Sequence, residues 1–192
     1  MASTGKKKIG VLALQGDFEA HEKALARAGA EPVEVRSATD LQQVDGLIIP
    51  GGESTTMMKL LEEEKLLDPL RKFGREHPIF GTCAGAILLA SGVTGPSQPS
   101  LGLMDIDVER NAYGRQLDSR IARLRPEGSG AELEAVFIRA PKIRRVGREA
   151  KVLAQYQGDP VLVEQGRHLV ATFHPELTED PRVHLMFLSK IA

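Results

Sequence analysis

The sequence predicts a single α/β domain with a mostly parallel central sheet and an antiparallel extension. Short apolar strands alternate with helical segments in the first half of the chain, and strand signals dominate the second half. Alternating strands and helices favour a parallel sheet that is covered on both faces. A chain of 192 residues is long enough to bury one substantial core.

The first half contains four predicted strands, at residues 9–14, 32–36, 46–49 and 78–80. Helices are predicted after them, over residues 18–28, after Ser54, within 66–73 and over 86–90. Asp17 and Ser54 are suited to cap two of these helices, because short polar side chains accept hydrogen bonds from first-turn amides. Pro69 is predicted in a first helical turn, where its missing N–H does little harm.

The second half starts with a predicted loop over residues 92–102, which are rich in Gly, Pro and Ser. Strands are predicted at residues 104–109, 134–138, 151–157, 160–164 and 169–173, and a last helix over 181–191. Residues 1–8 are expected to be a flexible tail, and residues 9–192 one domain.

Composition argues against several classes of partner. The net charge of −1 and the 4% aromatic content do not favour nucleic acid or anionic lipid. No apolar run approaches the length of a membrane span. The single cysteine excludes an intramolecular disulfide, and no signal-peptide pattern is present, so the cytoplasm is the expected location.

Cys83 lies in a G-x-C-x-G segment, residues 81–85, between a predicted strand and a predicted helix. This is a nucleophile-elbow arrangement with sulfur in place of oxygen. The helix N-terminus favours a thiolate, and the Ala84 amide can face a developing oxyanion. On these residues alone, a buried structural cysteine is an equally good interpretation.

His174 and Glu176 follow the last predicted strand. A cysteine nucleophile needs a histidine held by a third group. In an extended segment, residues two apart point the same way, so Glu176 can orient the His174 imidazole. Taken alone, such a pair is more often two solvent-exposed polar side chains with no catalytic role. Together with the elbow it predicts a Cys83–His174–Glu176 triad.

Gly51 and Gly52 end a strand and precede a helix. Two glycines let the backbone approach a ligand and offer N–H donors to an oxyanion. A simple turn with a capping serine is the alternative. The functional interpretation gains support because ligands of open α/β sheets bind at the carboxyl ends of the strands, where Cys83 is also expected.

These features together resemble the class I glutamine amidotransferase family. Further segments resemble, more specifically, the glutaminase subunits of pyridoxal 5′-phosphate synthase: residues 14–17 (LQGD), 50–56 (PGGESTT), 109–116 (ERNAYGRQ), 137–141 (FIRAP) and 173–178 (FHPELT). The resemblance runs from about residue 9 to residue 191. It implies a three-layer α/β/α sandwich.

The resemblance also implies residue roles. Cys83 matches the nucleophile, His174 the base and Glu176 its orienter, whereas Gln15 matches a residue coupled to partner docking. The oxyanion hole would use Gly52 and Ala84. The residues that match substrate-binding positions are Gly51, Gly52, Glu53, Arg110, Ile138 and Arg139. The substrate would be L-glutamine, and the partner a (β/α)₈-barrel synthase subunit in a large hetero-oligomer that receives ammonia through a channel.

Elementary chemistry is compatible with these roles. Arg110 and Arg139 are candidates for the substrate carboxylate, because a guanidinium pairs with it through two hydrogen bonds. Glu53 could pair with an ammonium, although an acidic residue at a helix start is also favoured by the helix dipole. The reaction that these residues would perform needs no metal or organic cofactor, and none is expected. The remaining histidines show no metal-site spacing; they are His21, His77, His168 and His184.

Three other functions stay open on the sequence alone. A stand-alone cysteine hydrolase or peptidase would turn over its substrate without glutamine. A glutaminase partner of another biosynthesis would bind a different synthase. A thiol redox sensor would use Cys83 without needing His174 and Glu176 beside it.

Overall fold

The computed structural model describes residues 5–112 and 119–192. Its strands are β1 (Lys8–Leu12), β2 (Glu31–Val35), β3 (Gly46–Ile49), β4 (Ile79–Thr82), β5 (Ala90–Thr94), β6 (Met104–Glu109), β7 (Ser119–Leu124), β8 (Leu133–Ile138), β9 (Lys142–Val146), β10 (Lys151–Tyr156), β11 (Asp159–Gln165) and β12 (His168–Ala171). Its α-helices are α1 (Phe18–Arg27), α2 (Ala38–Leu41), α3 (Ser54–Glu63), α4 (Leu67–Glu76), α5 (Ala84–Leu89) and α6 (Arg182–Leu188), and a 3₁₀ helix spans Pro175–Leu177.

The central sheet has seven strands in the order β10-β11-β12-β4-β3-β1-β2. The pairs from β12 to β2 are all parallel, whereas β10, β11 and β12 pair antiparallel. A three-stranded sheet, β5-β6-β9, and the β7–β8 hairpin lie outside it. The predicted parallel sheet with an antiparallel extension is therefore confirmed.

Alternation along the buried strands divides the core between the two faces of the sheet. In β3, Leu47 and Ile49 join an apolar cluster with α2, α3, α4 and α5. Ile48 points the other way, into a cluster with α1, α6 and the β7–β8 hairpin. Both faces are covered, which explains why the parallel strands are continuously apolar, and the three-layer architecture is confirmed.

Several local predictions need correction. Ser54 does not cap α3; the Glu53 carboxylate does, by accepting hydrogen bonds from the amides of Thr55 and Thr56. The predicted loop over 92–102 begins inside β5, which pairs with β6. The helix after Cys83 starts at Ala84 rather than at residue 86.

The short elements α2, β7 and β9 were not predicted, because their sequences lack a clear apolar period. By contrast, Asp17 caps α1 as predicted, since its Oδ1 accepts from the Ala20 amide at 3.3 Å. None of the helices in the described residues is long and apolar enough to cross a membrane.

Candidate active site

Three adjacent strands, β12, β4 and β3, end side by side at one edge of the sheet. Ala171 of β12 pairs with Thr82 of β4, and Ile49 of β3 pairs with Gly81 of β4. The amide of Cys83 extends this ladder by donating to the carbonyl of Ala171 at 2.8 Å. The residues that follow the three strands therefore meet, although they are far apart in the sequence.

Cys83 occupies a sharp turn between β4 and α5. Its φ of +50° lies in the left-handed region, which is uncommon for a residue with a side chain and marks local strain. The turn is tightly packed: a Cβ at Gly85 would lie 2.1 Å from the carbonyl oxygen of Ile49. The thiol is mostly buried, and Ala84 begins α5, so the Ala84 amide has no acceptor within the helix. This geometry matches the predicted elbow.

His174 and Glu176 lie immediately after β12. The His174 Nδ1 is 2.6 Å from the Glu176 Oε1, and the Glu176 carboxylate is almost fully buried. The segment is not extended as the sequence suggested: His174 precedes the 3₁₀ helix Pro175–Leu177, whose turn brings Glu176 back to the imidazole. The His174 amide also donates to the carbonyl of Val136 at 2.8 Å, which fixes the segment against β8.

The imidazole of His174 is held in its charged form. Burial alone lowers the pKa of His174, but hydrogen bonds with Cys83 and Glu176 outweigh burial and raise the pKa to about 10. An imidazolium that contacts a cysteine on one side and a carboxylate on the other favours a thiolate nucleophile.

The turn after β3 lies against this group. A Cβ at Gly51 would lie 2.6 Å from the His174 Cε1 and 3.4 Å from the Cys83 Cβ, so only glycine fits. Gly52 has a φ of +155°, and a Cβ there would lie 2.3 Å from the Gln15 Oε1. The same Gln15 oxygen accepts from the Glu53 amide at 2.9 Å. Gln15 therefore holds the glycine turn from the loop that follows the neighbouring strand β1.

Glu53 and Arg110 lie together as an ion pair. The Arg110 Nη2 is 3.6 Å from the Glu53 Oε1, and the Arg110 side chain is largely buried. Hydrogen bonds from Thr55 and Thr56 hold the pKa of Glu53 down to about 2 despite partial burial. The Glu53 carboxylate is thus charged at neutral pH, and Arg110 lies beside it as its ion-pair partner.

The predicted segment around Ile138 borders Cys83, because the Cys83 Sγ is 4.0 Å from the carbonyl oxygen of Ile138. Arg139 follows with a φ of +44° and an exposed side chain. The last part of the predicted ERNAYGRQ segment, residues 113–116, lies outside the described residues.

His21 was not among the predicted site residues, yet its Nε2 lies 3.4 Å from the Glu176 Oε2. The sequence feature that could have indicated a role for His21 is its position in α1. His21 is buried on the same helical face as Ala24 and Leu25, which a polar residue occupies only if it has partners.

The fold and this arrangement define a class of protein. A crystal structure of a glutamine amidotransferase matches with a TM-score of 0.89 and 51% identity, covering 95% of this chain and 97% of that chain. The structure of PurLQS from Thermotoga maritima matches with a TM-score of 0.75 and 19% identity, over 96% of this chain and 99% of that chain, and shows the shared fold alone.

The family model of the SNO glutamine amidotransferases matches residues 11–192. A pyridoxal 5′-phosphate synthase subunit PdxT from Solibacter usitatus is 65% identical over 96% of this chain and 100% of its own length. A PdxT from Koribacter versatilis is 54% identical over 96% of this chain and 95% of its own length. The chain belongs to the SNO glutamine amidotransferase family.

Proposed function

We propose that the chain hydrolyses L-glutamine to L-glutamate and ammonia, as the glutaminase subunit of a pyridoxal 5′-phosphate synthase. The observation that carries the proposal is the convergence of three groups at the edge of the sheet. The His174 Nδ1 is 2.6 Å from the Glu176 Oε1, and the His174 ring and the Cys83 Cβ both border Gly51. This is the set of groups that acyl transfer to a cysteine requires.

In the first half of the reaction, the Cys83 thiolate attacks the side-chain carbonyl carbon of glutamine. The amides of Gly52 and Ala84 stabilise the negative oxygen of the tetrahedral intermediate. The His174 imidazolium then donates its proton to the departing nitrogen, which leaves as ammonia. A thioester between Cys83 and the substrate remains.

In the second half, water attacks the thioester carbon while neutral His174 accepts a proton from it. The carbon–sulfur bond breaks, glutamate leaves, and the thiolate–imidazolium pair returns. Glu176 keeps the imidazole oriented through both steps, because its Oε1 holds the Nδ1 proton. The reaction as proposed uses no metal or organic cofactor.

The charged groups beside the nucleophile would hold the free amino acid. In the proposal, Arg110 and Arg139 bind the substrate carboxylate, and Glu53 binds its ammonium group. Gly51 and the backbone of Ile138 complete the wall of the pocket, since both lie next to Cys83.

The proposed partner is the synthase subunit, because the similar proteins are named as subunits of that enzyme. The resemblance implies a (β/α)₈ barrel in a large hetero-oligomer. Ammonia released into water would be protonated, so docking should precede turnover. Gln15 could transmit docking, since it holds the amide of Glu53 next to the glycine turn. The proposed location is the cytoplasm, where a thiol nucleophile stays reduced.

Glutamate release from glutamine, with and without the synthase subunit, tests this function in wild type and Cys83→Ala. We expect partner-dependent release in wild type and a loss of more than about 10⁴-fold in the variant. Equal turnover without the partner would contradict the subunit role. No turnover of glutamine in either condition would contradict the proposed reaction and favour another cysteine hydrolase or a thiol sensor.

A further inference from the structure

A cluster of buried polar side chains lies behind Glu176, on the side away from His174. His21 of α1, Thr82 of β4 and His184 of α6 are each fully buried. Burying a polar group costs free energy unless it is hydrogen-bonded. The contacts within this cluster therefore determine whether its polar atoms are left unpaired in the core or are hydrogen-bonded to one another and to the candidate site.

The contacts form a continuous chain that ends at the candidate active site. The His21 Nδ1 is 3.0 Å from the His184 Nε2, and the His21 Nε2 is 3.1 Å from the Thr82 Oγ1. The same His21 Nε2 is 3.4 Å from the Glu176 Oε2. Glu176 then contacts His174 through its other oxygen, Oε1.

The Glu176 Oε2 has no conventional hydrogen-bond partner among the described residues. Whether this oxygen faces a donor therefore depends on whether the nearby His21 Nε2 carries a proton. Burial, followed by the charges of His184 and His174, lowers the pKa of His21 well below its ordinary value. His21 is therefore neutral and carries a single ring proton.

Two placements of that proton are possible, and they differ in what they leave unpaired. With the proton on Nδ1, a buried carboxylate oxygen would face an unprotonated nitrogen. With the proton on Nε2, His21 offers its N–H to the Thr82 Oγ1 at 3.1 Å and places it beside the Glu176 Oε2 at 3.4 Å, and its Nδ1 accepts from the His184 Nε2. Among the ring and hydroxyl atoms of His21, Thr82 and His184, the second placement leaves the His184 Nδ1, a neutral acceptor, without a partner.

We propose that His21 is a positioning residue of the active site, whose Nε2–H holds the second oxygen of Glu176 while His184 fixes the tautomer of His21. This inference rests on the proposed glutaminase function. With Oε2 held, Oε1 stays aligned with the His174 Nδ1. His21 acts through Glu176 rather than on the substrate.

Other charged groups do not replace this contact. The rings of His21 and Phe80 of β4 are nearly perpendicular, with centroids 6.5 Å apart, and the apolar Phe80 ring supplies no conventional donor for the carboxylate. The titratable groups that face His21 or its partner are His184 from α6, His174 and Glu176 from the segment after β12, and Arg27 from α1, which acts on His184.

The test compares His21→Leu, His21→Gln and wild type in the complex with the synthase subunit. The leucine lacks a donor, whereas the glutamine amide can reach the position of Nε2. We expect His21→Leu to lower kcat about tenfold with KM changed by less than about twofold. The alkaline limb of the pH–rate profile should also move to lower pH, because a less supported Glu176 lowers the pKa of His174.

We expect His21→Gln to restore most of kcat and the position of the alkaline limb. The matched control is His168→Leu, which removes another buried histidine at the opposite end of β12. The His168→Leu variant should be less stable than wild type, but the alkaline limb of its pH–rate profile should stay at the wild-type position. A wild-type profile for His21→Leu, or equal impairment of His21→Leu and His21→Gln, would overturn the proposal.

A second measurement does not depend on turnover or on the variants folding. Nitrogen-15 NMR of the histidine rings in the wild-type chain reports which nitrogen of His21 carries the proton. The Nε2–H tautomer supports the proposal, and the Nδ1–H tautomer overturns it. Failure of the glutaminase function is a separate result, because it appears as an absence of glutamate release in wild type.

Discussion

Two largely buried histidines flank β12, His168 as its first residue and His174 three residues after its last, and the two rings are in opposite charge states. At the amino end, the His168 Nδ1 accepts from the Ile79 amide at 3.1 Å, and burial lowers the pKa of His168 to about 4. At the carboxyl end, His174 contacts a carboxylate and a cysteine, and its pKa is raised to about 10. His168 is therefore a neutral part of the core, whereas His174 is a cation.

The comparison shows that the partner, rather than burial, decides the charge of a buried histidine here. Burial is the largest influence on both rings and acts in the same direction on both. Only the carboxyl end supplies acceptors that can be negatively charged. Parallel sheets gather such groups at this edge, because the connections that follow the strands meet there.

The largest effect is expected from removing the charge beside His174. Glu176→Gln keeps the shape and an acceptor oxygen but removes the carboxylate, so the pKa of His174 should fall towards its ordinary value. We expect glutamate release to drop roughly 10³-fold. A pH–rate profile of the complex and a histidine NMR titration of the chain would measure both changes.

The control for this variant is Glu179→Gln, which makes the same chemical change at an exposed carboxylate three residues further along. It should leave the rate and the His174 titration at wild-type values. If Glu176→Gln titrated like wild type, the charge of His174 would not come from the carboxylate, and the contrast between the two histidines would need another cause.

A smaller effect is expected from displacing the imidazole without changing its partners. The new methyl group in Gly51→Ala would lie 2.6 Å from the His174 Cε1, so the ring must shift. We expect a loss of about 10²-fold in kcat, because misplacing a catalytic group by about 1 Å has this order of effect. Gly130→Ala is the control, since a Cβ there meets nothing within 4 Å. Wild-type turnover in Gly51→Ala would show that the ring tolerates displacement.

The smallest effect on activity is expected at the amino end of β12. His168→Leu leaves the Ile79 amide without its acceptor and should reduce the free energy of unfolding by about 2 kcal/mol at pH 7. Glutamate release should stay at the wild-type level, because His168 does not contact the candidate site.

The pH dependence of the free energy of unfolding tests whether His168 is a neutral histidine of the core. The folded pKa of about 4 lies below the ordinary 6.5, so folding excludes a proton and stability from His168 is lost as pH falls through this interval. Titration of His168 should reduce the free energy of unfolding of wild type by about 2 kcal/mol between pH 7 and pH 5. The leucine variant should lack this part of the pH dependence. Parallel losses in both proteins, measured by urea unfolding, would refute the assignment.

Much of the architecture could be predicted from local patterns. The bounds of β3 and the cap of α1 by Asp17 were correct, because apolar runs and capping residues act over a few positions. The cap of α3 was not: Ser54 and Glu53 are adjacent and both can accept amide protons. The Ser54 hydroxyl instead donates to the Gln98 Oε1, which lies in a loop distant in sequence. No rule based on neighbouring residues could predict that contact.

Local sequence alone was enough to indicate the elbow around Cys83, the glycines of the turn after β3 and the pairing of His174 with Glu176. Each depends on neighbours along the chain and on turn chemistry. The adjacency of β12, β4 and β3 comes from the packing of the whole domain, and so does the meeting of Cys83, His174 and Gly51. That packing alone placed His21 behind Glu176, because strand order and helix packing arise from burying two faces of one sheet at once, and no local segment specifies that arrangement.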